Sequence, residues 1–306
     1  TLSALTAVVV LCQAADIGRL SSHQSRYVNH PNWDLLPHDE CGLVERSSTS
    51  TLKILKGNEA ELGQFPWMVA ILKPGLARIF CGGSLISDRY VVTAAHCVTP
   101  EIRIQQVVLG EHNQNQLMDC QGVRCSPPAR LVKIEDIIIH PYYPLPGTDI
   151  ALLRLNERIT EFTDFVRPIC LPTFRELAHR DVFDGQNVET AGWGTTEWGQ
   201  DSDYLRHITI PVIPDWECSR WFISLPSTEI CAKGDEGIDS CQGDSGGPLM
   251  ARVRSSSCTR DYVTVLVGIT SHGIPKFEGS GLCGDHIGIY TRVSDYMDWI
   301  LDNICK

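Results

Sequence analysis

Short apolar runs recur between Gly, Pro and Asn turns through most of this chain and restrict the folds open to it. They are Trp67 to Leu72, Tyr90 to Ala95, Val107 to Leu109, Ile150 to Leu155, Ile208 to Ile213 and Val263 to Ile269. Runs of this length between turn residues predict an antiparallel all-β domain from Ile54 onward. Helical periodicity stands only at the end, where Ser294 is placed to cap a segment that puts Met297, Ile300, Leu301 and Ile304 on one stripe. A shorter helix is expected near Pro214-Asp215-Trp216.

The region before Ile54 differs. Leu2 to Leu11 is apolar apart from Ser3 and Thr6 and leads into Cys12-Gln13-Ala14-Ala15, too short to span a bilayer but matched to the core and cleavage site of a secretory signal. Residues 1–15 are therefore read as a signal peptide whose basic beginning is missing. Residues 16–53 are polar and aperiodic, with Pro31, Pro37 and a Ser/Thr run at 47–51, and read as a pro-segment or linker. Secretion suits the cysteines. There are 13, and loss of Cys12 with the signal leaves an even number for an oxidising compartment. The net charge of −11 opposes nucleic acid and anionic membranes, which are bound through Lys and Arg. Neither is expected as a partner.

Gly243-Asp244-Ser245-Gly246-Gly247-Pro248 sets a serine between glycines, where the backbone turns sharply and a hydroxyl lies beside free N–H groups. Taken alone, this is ambiguous, since the nucleophile elbow of α/β-hydrolases also fits it. That fold needs an Asp and then a His downstream, and Asp261 with His272 or Asp285 with His286 meet the order. The short stretch after Ser245, with little strand–helix alternation, leaves a doubly wound sheet hard to build. Upstream, Thr93-Ala94-Ala95-His96-Cys97 ends one apolar run with a histidine, and Thr148-Asp149-Ile150 opens another with an acid. With Ser245 these give the order His, Asp, Ser.

With those residues in place the chain resembles the chymotrypsin/trypsin family of serine endopeptidases. The likeness rests on Phe65-Pro66-Trp67, Cys81-Gly82-Gly83-Ser84-Leu85-Ile86, Arg167-Pro168-Ile169-Cys170-Leu171-Pro172, Gly192-Trp193-Gly194 and Tyr290-Thr291-Arg292-Val293, and covers Ile54 to Lys306. It implies two six-stranded antiparallel β-barrels with the active site between them. It implies catalytic residues His96, Asp149 and Ser245, with backbone N–H groups of Gly243 and Ser245 as the oxyanion hole. By the same resemblance Asp239 sits at the base of the specificity pocket, with Ser271, Gly273 and Gly288 along its wall, so the substrate is a protein with an exposed Arg or Lys. His272 stands where the family usually has tryptophan.

The resemblance also aligns Lys53-Ile54 with an activation junction, where an upstream protease cuts and the new Ile54 amine pairs with Asp244. Lys56 replaces the usual glycine there. It suggests the disulfides Cys81–Cys97, Cys218–Cys231, Cys241–Cys283 and Cys41–Cys170, the last tethering the pro-segment until reductant is added. Cys120–Cys125 closes a local loop, which leaves Cys258 for Cys305. Val188 and Ala251 occupy the positions of a family disulfide absent here. The tethered segment and the Cys120–Cys125 insertion look most like the catalytic domains of arthropod clip-domain proteases of clotting, melanisation and Toll-type cascades, without the clip module. The resulting expectation is a secreted zymogen in such a cascade, controlled by a serpin-type inhibitor. A digestive trypsin and a non-catalytic adaptor are the alternatives. No cofactor is required and no metal residues are assigned, although a calcium loop is conceivable near Glu111 and Asp119.

Overall fold

In the computed structural model, the described residues are 25–44, 57–76, 78–196, 199–220, 225–234, 244–255, 262–275 and 286–306. The signal-peptide stretch and the junction at Lys53-Ile54 lie outside them. The strands up to residue 155 are β1 (Asn58–Glu59), β2 (Met68–Leu72), β3 (Ile79–Leu85), β4 (Tyr90–Thr93), β5 (Gln106–Leu109), β6 (Cys120–Gln121), β7 (Arg124–Cys125), β8 (Arg130–Ile139) and β9 (Ala151–Leu155). After them come β10 (Asn187–Gly192), β11 (Arg206–Ile213), β12 (Glu229–Ala232), β13 (Pro248–Arg254), β14 (Tyr262–Pro275) and β15 (His286–Arg292).

Six strands close the first barrel in the order β2-β3-β4-β9-β8-β5. The second runs β11-β10-β13-β14-β15-β12 and closes through β11–β12, while β1 adds to the outer edge of β11. The barrel strands pair antiparallel, and closure covers the strand edges within each barrel. The predicted all-β, two-barrel architecture is therefore present. Each apolar run found in the sequence lies within or beside a strand, and its side chains fill two cores. Trp67, Ile71, Val92 and Leu152 belong to the first; Ile210, Leu249, Val265 and Tyr290 belong to the second. Val188 and Ala251 are both buried in that second core, apolar packing taking the place of a bridge.

Among the described residues the two α-helices are short: α1 (Asp215–Cys218), directly after Pro214, and α2 (Met297–Asn303). Met297, Ile300 and Leu301 of α2 are buried, as the stripe predicts, but Ser294 is not its cap. The chain enters α2 through a 3-10 turn over Val293–Tyr296, which buries Ser294 inside the turn and makes Tyr296 the residue before the helix.

Residues 25–44 are more than a tether. Tyr27 and Leu36 are buried in the first core, and Trp33 and Leu35 of a 3-10 turn pack against it. Asn32 Nδ2 donates to the Leu301 carbonyl at 2.9 Å, and His30 Nε2 lies 3.1 Å from Asp302 Oδ1. The segment thus lies along α2. Further on, Gly42 N donates to Pro168 O at 2.8 Å and Gly42 O accepts from Thr264 N at 3.0 Å, next to the Cys41–Cys170 disulfide. A side chain at Gly42 would collide with the Thr264 backbone, and its φ of +64° is one that glycine adopts without strain.

Candidate active site

His96 sits in a 3-10 turn, Ala95–Cys97, that ends the hairpin containing β4. The Cys81–Cys97 disulfide ties this turn to β3. Asp149 immediately precedes Ile150 and β9, which pairs with β4 (Thr93↔Ala151), so neighbouring strand ends bring the two residues together. His96 Nδ1 is 2.7 Å from Asp149 Oδ2, and the His96 backbone N–H donates to Asp149 Oδ1 at 2.9 Å. The second barrel supplies two more bonds. Ser271 Oγ donates to Asp149 Oδ2 at 2.5 Å, and Thr291 Oγ1 donates to the Asp149 carbonyl at 2.9 Å. Burial alone would raise the Asp149 pKa, but the His96 ring, Ser271 and the His96 N–H outweigh it and hold the carboxyl below its ordinary value.

Because a carboxylate only accepts, Nδ1 of His96 carries the proton that faces Asp149, and Nε2 is left as an acceptor. Opposite it, residues 244–247 form a tight turn at the start of β13. The Ser245 carbonyl accepts from Gly82 N at 2.8 Å, Gly246 N donates to Thr270 O at 2.8 Å, and Gly247 N donates to Asp244 O at 2.9 Å. Gly246 has φ +78°, and a Cβ there would lie 2.2 Å from Thr93 Oγ1, so the sequence after Ser245 must be glycine for the turn to sit against β3 and β4. The Ser245 carbonyl is 3.6 Å from Cys97 Sγ, itself 3.6 Å from His96 Nε2. Ser245 therefore stands beside the His96 ring. Among the described residues no hydrogen bond joins its hydroxyl to that ring.

This geometry coincides with the comparisons. Residues 54–300 match the family model described as Trypsin. The chain belongs to the trypsin family. Its relatives include the CLIP domain-containing serine protease HP8 of Bombyx mori, 36% identical over 313 residues that cover 96% of this chain and 80% of that protein. Serine protease ea of Drosophila melanogaster is 39% identical, with 97% and 78% covered. Among solved structures, the Drosophila Grass clip serine protease of the Toll pathway superposes with a TM-score of 0.74 at 34% identity, covering 88% of this chain and 76% of that one. This trypsin-family chain is thus related to arthropod clip-domain cascade proteases.

The other residues singled out in the sequence divide into those the structure positions and those outside the described part. Gly273 and Gly288 face one another across β14 and β15, and a Cβ at Gly288 would collide with the Tyr290 ring. Asp244 Oδ1 accepts from Gly194 N at 2.9 Å and rests against Gly192, where a Cβ would come within 2.1 Å of it. Asp239 and Gly243, like Lys53 and Ile54, lie outside the described residues, as do Cys241, Cys258 and Cys283. The disulfides Cys41–Cys170, Cys81–Cys97, Cys120–Cys125 and Cys218–Cys231 are formed. Cys305 corrects the sequence reading. It carries a free thiol, so the bond to Cys258 is not made. It follows α2 onto the first barrel, where Sγ lies 3.3 Å from Tyr90 Oη of β4.

Cys81, His96 and Cys97 bring their ligand atoms close together, but the two cysteines are bonded to each other and only the histidine is free to ligate. In the loop of Glu111 and Asp119, Glu111 Oε1 accepts from His112 N at 3.0 Å and Asp119 Oδ2 from Asn113 N at 3.3 Å. Burial, helped by the Asp119 charge and opposed by the His112 N–H, raises the Glu111 pKa. Both acids are thus engaged within their own loop. Sequence reasoning placed Ser271 on the pocket wall and did not foresee its hydroxyl on Asp149; Thr291 was visible only as part of Tyr290-Thr291-Arg292-Val293.

Proposed function

We propose that this chain is the secreted zymogen of a serine endopeptidase that cuts proteins after Arg or Lys in an extracellular cascade. The observation that carries the reading is the His96–Asp149 pair at 2.7 Å beside the Ser245 turn, in a trypsin-family chain. A serine hydroxyl is a weak nucleophile at neutral pH. As it attacks the scissile carbonyl, His96 Nε2 takes its proton and later returns it to the leaving amine, while Asp149 fixes the tautomer and stabilises the imidazolium. The N–H groups of Gly243 and Ser245 stabilise the developing oxyanion, each contributing about 3 kcal/mol. No cofactor enters these steps.

Asp239 is the charge partner for the substrate's Arg or Lys, and Gly273 and Gly288 leave the pocket open for a long side chain. Before cleavage the Ile54 nitrogen is an uncharged amide. An upstream trypsin-like protease cutting after Lys53 frees an ammonium that pairs with Asp244, the carboxylate that already holds the Gly194 N–H. The pairing orders the oxyanion loop and acts as the switch. Melanization protease 1 of Drosophila melanogaster and phenoloxidase-activating factor 1 of Holotrichia diomphalia are relatives at 36% and 38% identity, which supports a role in an immune cascade; a serpin-type inhibitor completes the proposal.

The test is to treat purified chain with a trypsin-like activator, sequence the new N-terminus and profile cleavage on a peptide library. A chain starting at Ile54 that cuts after Arg and Lys supports the reading. Full activity in uncleaved Lys53→Gln protein, or equal cleavage after Phe, contradicts it.

A further inference from the structure

The Asp149 carboxylate is shared by more than His96. β14 carries a bulge at the site: Thr270 pairs with Tyr290 and His272 with Ile289, so Ser271 is an extra residue without a partner in β15. In a regular strand, consecutive side chains point to opposite faces. The bulge removes that alternation, and His272 Nδ1 comes to lie 3.2 Å from Ser271 Oγ. Proton accounting then fixes each direction. Asp149 only accepts, so the Ser271 hydroxyl spends its one proton on Oδ2. Ser271 Oγ has only acceptor capacity left, and His272 must present Nδ1–H.

We infer that His272 is a positioning residue for the triad: its Nδ1–H donates to Ser271 Oγ, the Ser271 O–H donates to Asp149 Oδ2, and the same oxygen accepts Nδ1–H of His96. Hydrogen bonds in such a chain polarise one another, so the His272 donor strengthens the Ser271 bond to Asp149 and holds the carboxylate facing His96. Among the described residues, the titratable groups acting on His272 are Asp149, ahead of β9, and His96, in its 3-10 turn. Burial lowers the His272 pKa, Asp149 opposes this and His96 adds to it, although the residue keeps part of its surface exposed. At pH 8 His272 is thus neutral, and the relay acts without a second positive charge. The sequence displays His272 only as a replacement for the family's tryptophan; the bulge gives that replacement a function. This inference rests on the endopeptidase reading for its catalytic consequence, but not for its geometry.

The test compares activated wild type with His272→Phe and His272→Asn at pH 8. Asparagine keeps an N–H donor near the position of Nδ1, and phenylalanine keeps only a ring. Two quantities are read: the rate of Ser245 phosphonylation by an uncharged fluorophosphonate, and the low-field proton resonance of His96 Nδ1–H. The loss of one hydrogen bond's net effect predicts that Phe slows phosphonylation about two- to tenfold and moves the resonance, and that Asn restores both. Because His272 acts through Ser271, the Phe substitution should change neither quantity in a Ser271→Ala background. An unmoved resonance in His272→Phe, or an equal change with Ser271 absent, overturns the relay. A moved resonance in a protein that no fluorophosphonate labels leaves the relay standing and removes the endopeptidase reading instead.

Discussion

Truncating Tyr27 or Leu36 should destabilise the protease body, although both lie in the segment ahead of the activation junction. Tyr27 is 5% exposed and Leu36 7%, and both join the core that contains Met297, Ile300 and Leu301 of α2. Replacing a buried Leu by Ala costs about 2–5 kcal/mol and an aromatic about 3–5, the lower end applying where neighbours can collapse into the gap. Residues 25–44 lie on the outside of α2 and can partly close up, so we expect about 2–3 kcal/mol for each. In a domain of this size that lowers the melting temperature by roughly 5–10 °C. Val28, 46% exposed in the same segment, is the control, and Val28→Ala should melt with wild type. Differential scanning calorimetry on intact protein reads all three. The same packing implies that, after cleavage at Lys53, reducing Cys41–Cys170 under native conditions does not release the segment until denaturant is added. Melting of Tyr27→Ala and Leu36→Ala within a degree of wild type, or prompt release on reduction alone, would refute the reasoning.

Asp149→Asn should leave the fold intact but lower activity by about four orders of magnitude, the size of the equivalent change in the family's reference proteases, because the amide stabilises the wrong His96 tautomer; steady-state hydrolysis by activated protein measures it. Burial depresses the pKa values of His207 and His112, with Asp119 and Glu59 opposing it at His112. Below about pH 6.5 the unfolded chain takes up protons that the native one refuses, so stability present above that pH falls as pH drops toward the native pKa values, and His207→Gln should flatten the fall in pH-dependent denaturant melts. Native alkylation with iodoacetamide should modify Cys305, the exposed thiol beside Tyr90, and peptide mapping that finds Cys305 in a disulfide would contradict its free state.

Most of the architecture was legible because barrel strands announce themselves as short apolar runs between turn residues. The catalytic candidates were legible because each stands inside a local motif: Ala94-Ala95-His96-Cys97, Thr148-Asp149-Ile150 and Gly243-Asp244-Ser245-Gly246-Gly247. What escaped depended on three-dimensional context. The segment from Tyr27 to Leu36 has no period to detect, since its contacts come from a single 3-10 turn and two anchoring side chains. Strand β14 extends beyond the apolar run ending at Ile269, because past the bulged Ser271 its continuation from His272 is paired again with β15. Ser294 has the chemistry of a helix cap, but the 3-10 turn places it inside the approach to α2. Cys305 was paired by elimination, and elimination carries no information about distance: Tyr90 of the first barrel is what it meets.

The central claim is that Ser245 is activated by His96 and Asp149. The most direct measurement is covalent labelling by a fluorophosphonate after cleavage at Lys53, with the modified residue mapped by mass spectrometry. One label per activated chain, placed on Ser245 and absent both from Ser245→Ala and from the uncleaved zymogen, is the predicted result. A cleaved and folded wild-type chain that stays unlabelled, or one labelled at another residue, would contradict it.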